Sequence, residues 1–170
     1  DGDGVLDAVE IDDGTDPSDA GDYLADSDGD GLSDSYEASL GSDSDAQDSD
    51  GDGLDDAQEA FPLDDGFETD PSDVDSDDDG LLDGDEGGRL VQGELEDGTD
   101  PSSADSDGDL LQDGQEQGLT APMTTEEGVD GTDLAVFRSD LDPTTTTDPL
   151  DADSDNDGLS DGREDSNRNG

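Results

Sequence analysis

Hydrophobic residues in this chain stand singly or in short groups among acidic and small polar residues, and no extended stretch shows a period of 3.6 residues. This pattern predicts no long helix. Glycine or proline follows soon after each short apolar group, so we expect one or two helical turns per segment and no more. The least acidic part contains the apolar run Leu134–Phe137, which predicts a short strand or a small hairpin.

The apolar positions that do recur belong to a repeated acidic pattern. In Asp26–Glu37, acids occupy positions 1, 3, 5, 9 and 12, with glycine at position 6 and leucine at position 7. This is the spacing of a twelve-residue calcium loop of the EF-hand kind. Calcium takes about six to eight oxygen ligands, and side chains at positions 1, 3 and 5 can turn toward one centre. The glycine permits the sharp turn, position 7 offers its carbonyl, and the glutamate closes the shell.

The pattern recurs, and we number the loops 1 to 6 in chain order. Loops 2 to 6 are residues 26–37, 48–59, 75–86, 105–116 and 153–164, and loop 1 is a partial copy at 1–10. Chance would have to place the glycine, the apolar residue and the glutamate in register each time. The predicted calcium ligands, with position 7 counted for its carbonyl, are Asp1, Asp3, Val5, Asp7, Glu10, Asp26, Asp28, Asp30, Leu32, Asp34, Glu37, Asp48, Asp50, Asp52, Leu54, Asp56, Glu59, Asp75, Asp77, Asp79, Leu81, Asp83, Glu86, Asp105, Asp107, Asp109, Leu111, Asp113, Glu116, Asp153, Asp155, Asp157, Leu159, Asp161 and Glu164.

Loop 5 keeps every acid but has Leu110 where the other loops have glycine. A leucine held at positive φ costs about 1 kcal/mol or more. We therefore expect either a distorted loop or the weakest of the sites.

The connectors between loops share a second motif, Gly-Thr-Asp-Pro or a fragment of it. In four of them an aspartate stands five residues before position 1 of the next loop, and this fixed offset suggests a fixed role. One interpretation is a second calcium shared between connector and loop; the other is a turn without metal, since Asx-Pro sequences begin turns well. The possible second-site residues are Asp16, Asp43, Asp70, Asp100, Asp148 and, at the end of the chain, Asn169.

Composition makes metal the central question. The 170 residues include 57 acids and four basic residues, for a net charge of −53, and only 24% are hydrophobic. A chain of this kind is disordered unless bound cations order it, because its apolar surface cannot offset the ordering entropy. At least five calcium ions would make metal binding part of folding. The charge argues against nucleic-acid partners, no apolar run suggests membrane insertion, and the absence of histidine, lysine and cysteine leaves no residue that indicates an enzyme.

The ends of the chain fit together in register, because Asn169-Gly170 written before Asp1 completes loop 1. We therefore expect one continuous repeat array over 1–170, with an insertion at 117–147 and the start of a following repeat at 165–170. The hypothesis that follows is one period of a tandem array, or identical chains joined head to tail in a fibre; the alternative is an arbitrary boundary that fits by chance in a sequence of low complexity.

With its Asp-x-Asp-x-Asp-Gly-Leu-x-Asp-x-x-Glu loops and Gly-Thr-Asp-Pro connectors, the chain resembles thrombospondin type 3 repeats of the bacterial and archaeal kind. The resemblance implies an elongated, irregular array of calcium loops with few secondary-structure elements, on the cell surface or outside the cell. Animal members carry disulfides, and this cysteine-free chain would depend on the metal instead.

Three functions remain open at this point. The first is an extracellular structural protein, a calcium-stiffened spacer, stalk or fibre. The second is an adhesin or cell-surface binding module that uses insertion 117–147. The third is a calcium buffer or mineral-nucleating polyanion.

Overall fold

A computed structural model describes residues 4–19, 24–61, 66–86, 89–91, 94–96, 98–123 and 131–165. Its elements in chain order are α1 (Asp7–Asp13), α2 (Asp34–Leu40), α3 (Asp56–Ala60), α4 (Asp83–Glu86), β1 (Arg89–Val91), β2 (Glu94–Glu96), α5 (Asp113–Glu116) and α6 (Asp161–Glu164). Turns and irregular segments make up most of the remaining described residues. The expected fold class, an irregular repeat array with few regular elements, is confirmed.

Every helix begins at position 9 of a loop and is four to seven residues long. The best-capped example is α2, whose N-terminal Ser33 Oγ accepts the Tyr36 N–H at 3.1 Å and whose C-terminal Gly41 has a φ of 101°. Helices this short do not form alone in water. They exist because the loop before each helix fixes its first turn.

The small hairpin lies in a different place from the one expected. β1 and β2 pair antiparallel, with Leu90 opposite Leu95, in the connector between loops 4 and 5. The prediction of a strand at 134–137 is wrong, because these residues form a turn. The cause is Asp133: its carbonyl accepts the N–H groups of Val136 and Phe137 at 2.8 and 3.0 Å, and its side chain accepts that of Ala135 at 2.8 Å. Such local bonds compete with strand pairing.

The hydrophobic core is small and lies at the first three loops. Val9, Leu32 and Ala57 are buried together, and the Tyr36 and Phe61 rings stack beside them with centroids 5.7 Å apart. Ordering costs about 1–2 kcal/mol per residue, which a cluster of this size cannot offset for the whole chain. The interactions that hold the array must therefore lie in the acidic loops.

Candidate metal centres

Two residues with positive φ, at positions 4 and 6, wind the backbone of each full loop. The pairs are Gly29 and Gly31, Gly51 and Gly53, Asp78 and Gly80, Gly108 and Leu110, and Asn156 and Gly158. The sequence pattern singled out position 6 alone and missed position 4. Aspartate and asparagine stand there in two loops because they tolerate this conformation better than other side chains do.

The aspartate at position 1 holds both turns. In loop 5, Asp105 Oδ1 accepts the Gly108 N–H at 2.8 Å and Oδ2 accepts the Leu110 N–H at 2.9 Å. Loop 6 makes the second bond at the same distance, from Gly158 to Asp153. Leu110 thus takes the glycine conformation, with a φ of 92°, and loop 5 is not distorted. That its site is the weakest remains a prediction.

Within a loop, the winding brings together the carboxylates of positions 1, 3 and 5. In loops 2, 3 and 4 one oxygen from each of these three aspartates lies within 4.8 Å of the other two. The sets are Asp26, Asp28 and Asp30; Asp48, Asp50 and Asp52; and Asp75, Asp77 and Asp79. Three like charges this close repel strongly unless a cation or protons lie among them.

A second kind of cluster joins two loops. Asp52 and Glu59, at positions 5 and 12 of loop 3, lie within 4.8 Å of Asp83, which is position 9 of loop 4. Asp79, Glu86 and Asp113 repeat the arrangement between loops 4 and 5. The sequence pattern predicted one shell per loop, but could not show that position 9 also faces the preceding loop. Position 5 belongs to both clusters.

The clusters contain buried oxygens suited to a hard cation. Among the described residues, at least one carboxylate oxygen of Asp28, Asp77 and Asp107 at position 3, and of Glu37, Glu59, Glu86 and Glu116 at position 12, is buried without a hydrogen-bond donor. An unsatisfied buried polar atom costs about 1–3 kcal/mol, and more when it is charged. Carboxylate oxygens are the ligands that calcium takes, so these residues fit the predicted ion.

The pKa values of the clustered carboxyl groups also indicate a cation site. Burial, with help from neighbouring aspartates, raises the pKa of Glu59 and of Glu86 to about 10. The same causes raise the pKa of Asp77 to about 8 and, in less crowded loops, of Glu37 and Glu116 to about 8. The folded clusters therefore disfavour charged carboxylates unless a cation or a proton lies among them.

Consecutive loops are joined by one recurring contact. Oδ2 of the position-5 aspartate accepts the backbone N–H of position 10 in the next loop, at four places in the described chain: Asp30 from Ala57 at 3.1 Å, Asp52 from Gly84 at 2.7 Å, Asp79 from Gly114 at 2.6 Å, and Asp109 from Gly162. A Cβ at Gly84 or Gly114 would lie only 2.5 Å from a carbonyl oxygen of the preceding loop. We call this contact a junction, and the series of loops that it joins the stack. The loops start 22, 27, 30 and 48 residues apart in the sequence, yet the junctions are the same. The connectors of different length therefore lie outside the stack.

Four segments of the chain match the sequence profile of the bacterial TSP3 repeat: residues 1–20, 26–44, 48–61 and 153–167. These segments are similar to the bacterial TSP3 repeat, and together they cover less than half of the chain. TSP3 (thrombospondin type 3) repeats are non-enzymatic and bind calcium. Loops 4 and 5 lie outside the matched segments but make the same junctions. Searches of curated protein sequences and of solved structures found no match. No helix in the described ranges is long and apolar enough to cross a membrane.

A serine at position 2 of every full loop organises the site, although the calcium-loop pattern did not single it out. In loop 5 the Ser106 N–H donates to Asp113 Oδ1 at 2.9 Å and its hydroxyl to Oδ2 at 2.6 Å, which fixes the position-9 aspartate. The same hydroxyl accepts the N–H of connector residue Asp100 at 2.8 Å. The signal was available: the equivalent residues are Ser27, Ser49, Ser76 and Ser154.

The connector motif links two consecutive loops. The Thr99 hydroxyl donates to Glu86 Oε1 of loop 4 at 2.9 Å, while Asp100 N–H donates to Ser106 of loop 5. The Asp100 side chain accepts the Ser102 N–H at 3.0 Å, and its carbonyl accepts that of Ser103 at 2.8 Å. Asp16, Asp43, Asp70 and Asp148 make equivalent turns. The turn therefore exists, and the second calcium remains a prediction.

Some predicted ligands lie elsewhere. Asp1, Asp3 and Asn169 are outside the described residues, so the start of loop 1 and the joining of the ends are not described. Loop 6 is the most open of the full loops: Asp155, Asp157 and Glu164 are exposed, whereas their equivalents in loop 4 are buried or half-buried. Of the position-7 side chains, those of Leu32, Leu81 and Leu111 are buried and that of Leu159 is exposed.

Proposed function

We propose that this chain is an extracellular structural array in which calcium ions, at least one in each full loop, stiffen a spacer, stalk or fibre. The observation that carries the proposal is the recurring junction between position 5 of one loop and position 10 of the next. A protein that only stored ions would need loops, but it would not need identical contacts between loops of such different spacing. The junctions instead favour a continuous mechanical unit.

The predicted ligands divide naturally between two kinds of ion site in this proposal. Positions 1, 3, 5 and 12, with the position-7 carbonyl, would hold an ion within each loop. The clusters Asp52, Glu59, Asp83 and Asp79, Glu86, Asp113 would hold ions between loops. Serine at position 2 and threonine in the connector bind no ion, but they orient the carboxylates at positions 9 and 12.

Calcium supplies positive charge and oxygen coordination when it is bound. The chain's own residues then do the rest: they bury the carboxylates, space the loops and connect each loop to its neighbours. With a net charge of −53, the cation-free array repels itself, so we expect ordering only where calcium is plentiful. Extracellular calcium modules typically bind at about 10⁻⁴–10⁻³ M, which supports a location at the cell surface or outside the cell.

Head-to-tail joining of copies belongs to the same proposal. Loop 6 presents an exposed position-5 aspartate, Asp157. At the four junctions described above, the aspartate at this position accepts a backbone N–H of the next loop. Sedimentation at millimolar calcium, compared with chelator, tests this joining as a concentration-dependent increase in mass.

The adhesin alternative is favoured by exposed apolar side chains in insertion 117–147. Leu134 and Leu141 are 73% and 69% exposed. Against this, other residues of the insertion contact loops 4 and 5. Alanine at both leucines would abolish adhesion while leaving calcium binding intact if the insertion met a partner.

Small-angle X-ray scattering of the full chain tests the structural proposal, at about 5 mM calcium and then with excess chelator. A 170-residue unfolded chain has a radius of gyration of about 44 Å, against about 15 Å for a compact globule. We expect an intermediate, rod-like profile with calcium and expansion toward the unfolded value on chelation. An unchanged profile on chelation would contradict a metal-dependent fold.

A variant pair locates the ions. Glu86→Gln removes a buried glutamate from the cluster between loops 4 and 5, so calorimetric titration should lose at least one calcium. Asp85→Asn changes the adjacent, exposed residue of the same helix and should keep every calcium. Equal stoichiometry in both variants would exclude the assignment of Glu86.

A further inference from the structure

Insertion 117–147 lies against loops 4 and 5 through two segments, 119–123 and 131–140, which together we call the strap. On loop 4, the Met123 N–H donates to the Gly80 carbonyl at 2.7 Å, and the Thr132 hydroxyl donates to Asp75 Oδ2. Asp133 N–H donates to Asp78 Oδ1 at 2.5 Å. The strap thus contacts the residues at positions 1, 4 and 6 of one loop.

An aromatic ring completes this contact. Phe137 lies directly on Gly80: a Cβ at Gly80 would be 2.7 Å from Phe137 Cδ2 and 3.4 Å from the Cα of Pro122. Gly80 is therefore needed twice, for its φ of 100° and for the space that the strap occupies. The ring covers the turn beside the cluster of Asp75, Asp77 and Asp79.

The strap also reaches loop 5. The Gln112 side chain donates to the Val136 carbonyl at 3.4 Å and accepts the Arg138 N–H at 2.7 Å, so a single amide pairs with the strap in both directions. Leu119 N–H donates to the Gly114 carbonyl at 2.8 Å. The strap therefore spans the junction at which Asp79 of loop 4 meets Gly114 of loop 5.

Loop 4 differs from the other loops in the burial of its carboxylates, which agrees with its contact with the strap. Asp75 and Asp79 are fully buried, whereas their equivalents in loop 2, Asp26 and Asp30, are half-buried. Position 4 is an aspartate, Asp78, whose carboxylate receives the strap. Within the described ranges, the position-1 carboxylate of no other loop accepts a hydrogen bond from a connector residue.

We propose that the strap is an intramolecular cover, with Thr132 as a positioning residue, which makes the cation site of Asp75, Asp77 and Asp79 release its ion more slowly than the other sites. The proposal rests on the proposed function, because it requires loop 4 to bind calcium. An ion that leaves this site must break contacts to the strap as well as to its ligands. The open loops 2 and 6 impose no such step.

Stopped-flow release of calcium into an excess of fluorescent chelator measures the rates on the calcium-loaded full chain. We expect one slow phase with the amplitude of a single ion. Thr132→Val removes only the hydroxyl that contacts Asp75 and should accelerate that phase about tenfold, corresponding to ~1.4 kcal/mol. Phe137→Ala removes the ring over Gly80 and should accelerate the same phase.

The matched control is Thr144→Val, in the same insertion. Thr144 is exposed and its hydroxyl donates to Asp142 at 2.6 Å, away from loop 4, so every phase should keep its rate. Amide hydrogen exchange gives a second readout: protection of the Met123 and Asp133 amides should fall with Thr132→Val and persist with Thr144→Val.

The outcomes separate the two proposals. The absence of a slow phase, a slow phase unchanged by Thr132→Val and Phe137→Ala, or equal acceleration of all phases would overturn the strap proposal while leaving calcium binding intact. If Phe137→Ala prevents folding, Thr132→Val alone decides. A chain that binds no calcium would overturn the proposed function and the strap proposal together.

Discussion

Gly114→Ala tests the junction between loops by the sign of its effect. Gly114 lies in α5, and alanine stabilises a helix by about 1 kcal/mol relative to glycine. If Gly114 were only a helical glycine, the variant would therefore be more stable. The structure predicts the opposite, because the new Cβ would lie 2.5 Å from the Asp79 carbonyl oxygen and 3.1 Å from Leu119 Cδ1.

The magnitude follows from the two contacts that the methyl group disturbs. Overpacking of a close backbone approach costs about 1–3 kcal/mol. Lengthening the 2.6 Å bond from Gly114 N–H to the Asp79 carboxylate loses part of an interaction worth about 1.5–3 kcal/mol. The equivalent bond at Ala57, where the chain already carries a methyl group, is 3.1 Å long and shows how the junction relaxes. After the gain in helix propensity, we expect a net loss of about 2 kcal/mol.

Urea unfolding of the full chain at saturating calcium provides the measurement, with Ala57→Gly as the reciprocal control. Propensity alone predicts opposite signs for the two substitutions. The structure predicts that both substitutions destabilise the chain. Gly114→Ala does so through the clash at the junction, and Ala57→Gly does so through lost burial in the core cluster. A Gly114→Ala chain as stable as the parent, or more stable, would refute the role assigned to the close approach.

Three further predictions concern the loops themselves. Ser106→Ala removes the hydroxyl bond to Asp113 and should lower the free energy of unfolding by about 1–2 kcal/mol at saturating calcium. The control Ser102→Ala, at an exposed turn, should change the free energy of unfolding by less than ~1 kcal/mol. Equal losses in the two variants would contradict the role of the serine at position 2. Leu110→Gly should raise the melting temperature and the calcium affinity of loop 5, because it relieves a φ of 92° at a side chain that is 73% exposed; a lower melting temperature would argue against strain there. The pKa of Glu86, raised to about 10, means that the cation-free fold binds extra protons, so its stability should fall as pH rises from about 5 to 10, while calcium affinity rises. Circular dichroism of the calcium-free chain should therefore show more ordered structure at about pH 5 than at about pH 9, and equal signals would contradict the raised pKa.

The sequence predicted the parts of the site that one loop contains. Asp75, Asp77 and Asp79 come together because alternate positions of a tightly wound loop face one side, which spacing alone indicates. The role of Asp83 toward loop 3 could not be predicted, because it depends on how loops stack. The sequence also does not show why positions 84 and 114 are glycine: a Cβ at either position would lie 2.5 Å from a carbonyl oxygen of the preceding loop.

The insertion shows the opposite limit. Leu134–Phe137 is apolar enough to predict a short strand, but Asp133 supplies local hydrogen bonds that favour a turn. The contact between Phe137 and Gly80 joins residues far apart in the chain, and no periodicity reports it. Serine at position 2 was different: its recurrence was visible, and it was missed because a calcium-loop template assigns that position no ligand.

The connectors lie to the side of the stack, and this separates two kinds of genetic change. Residues added to or removed from a connector, between a position-12 glutamate and the following Asp-Pro turn, alter what the array carries on its flank and leave the distance between loops the same. A single substitution at position 5 or position 10 does the reverse, since it changes the axial contact without changing the length of the chain. Insertions can therefore change the flanks of such an array during evolution while the distance between consecutive loops stays the same.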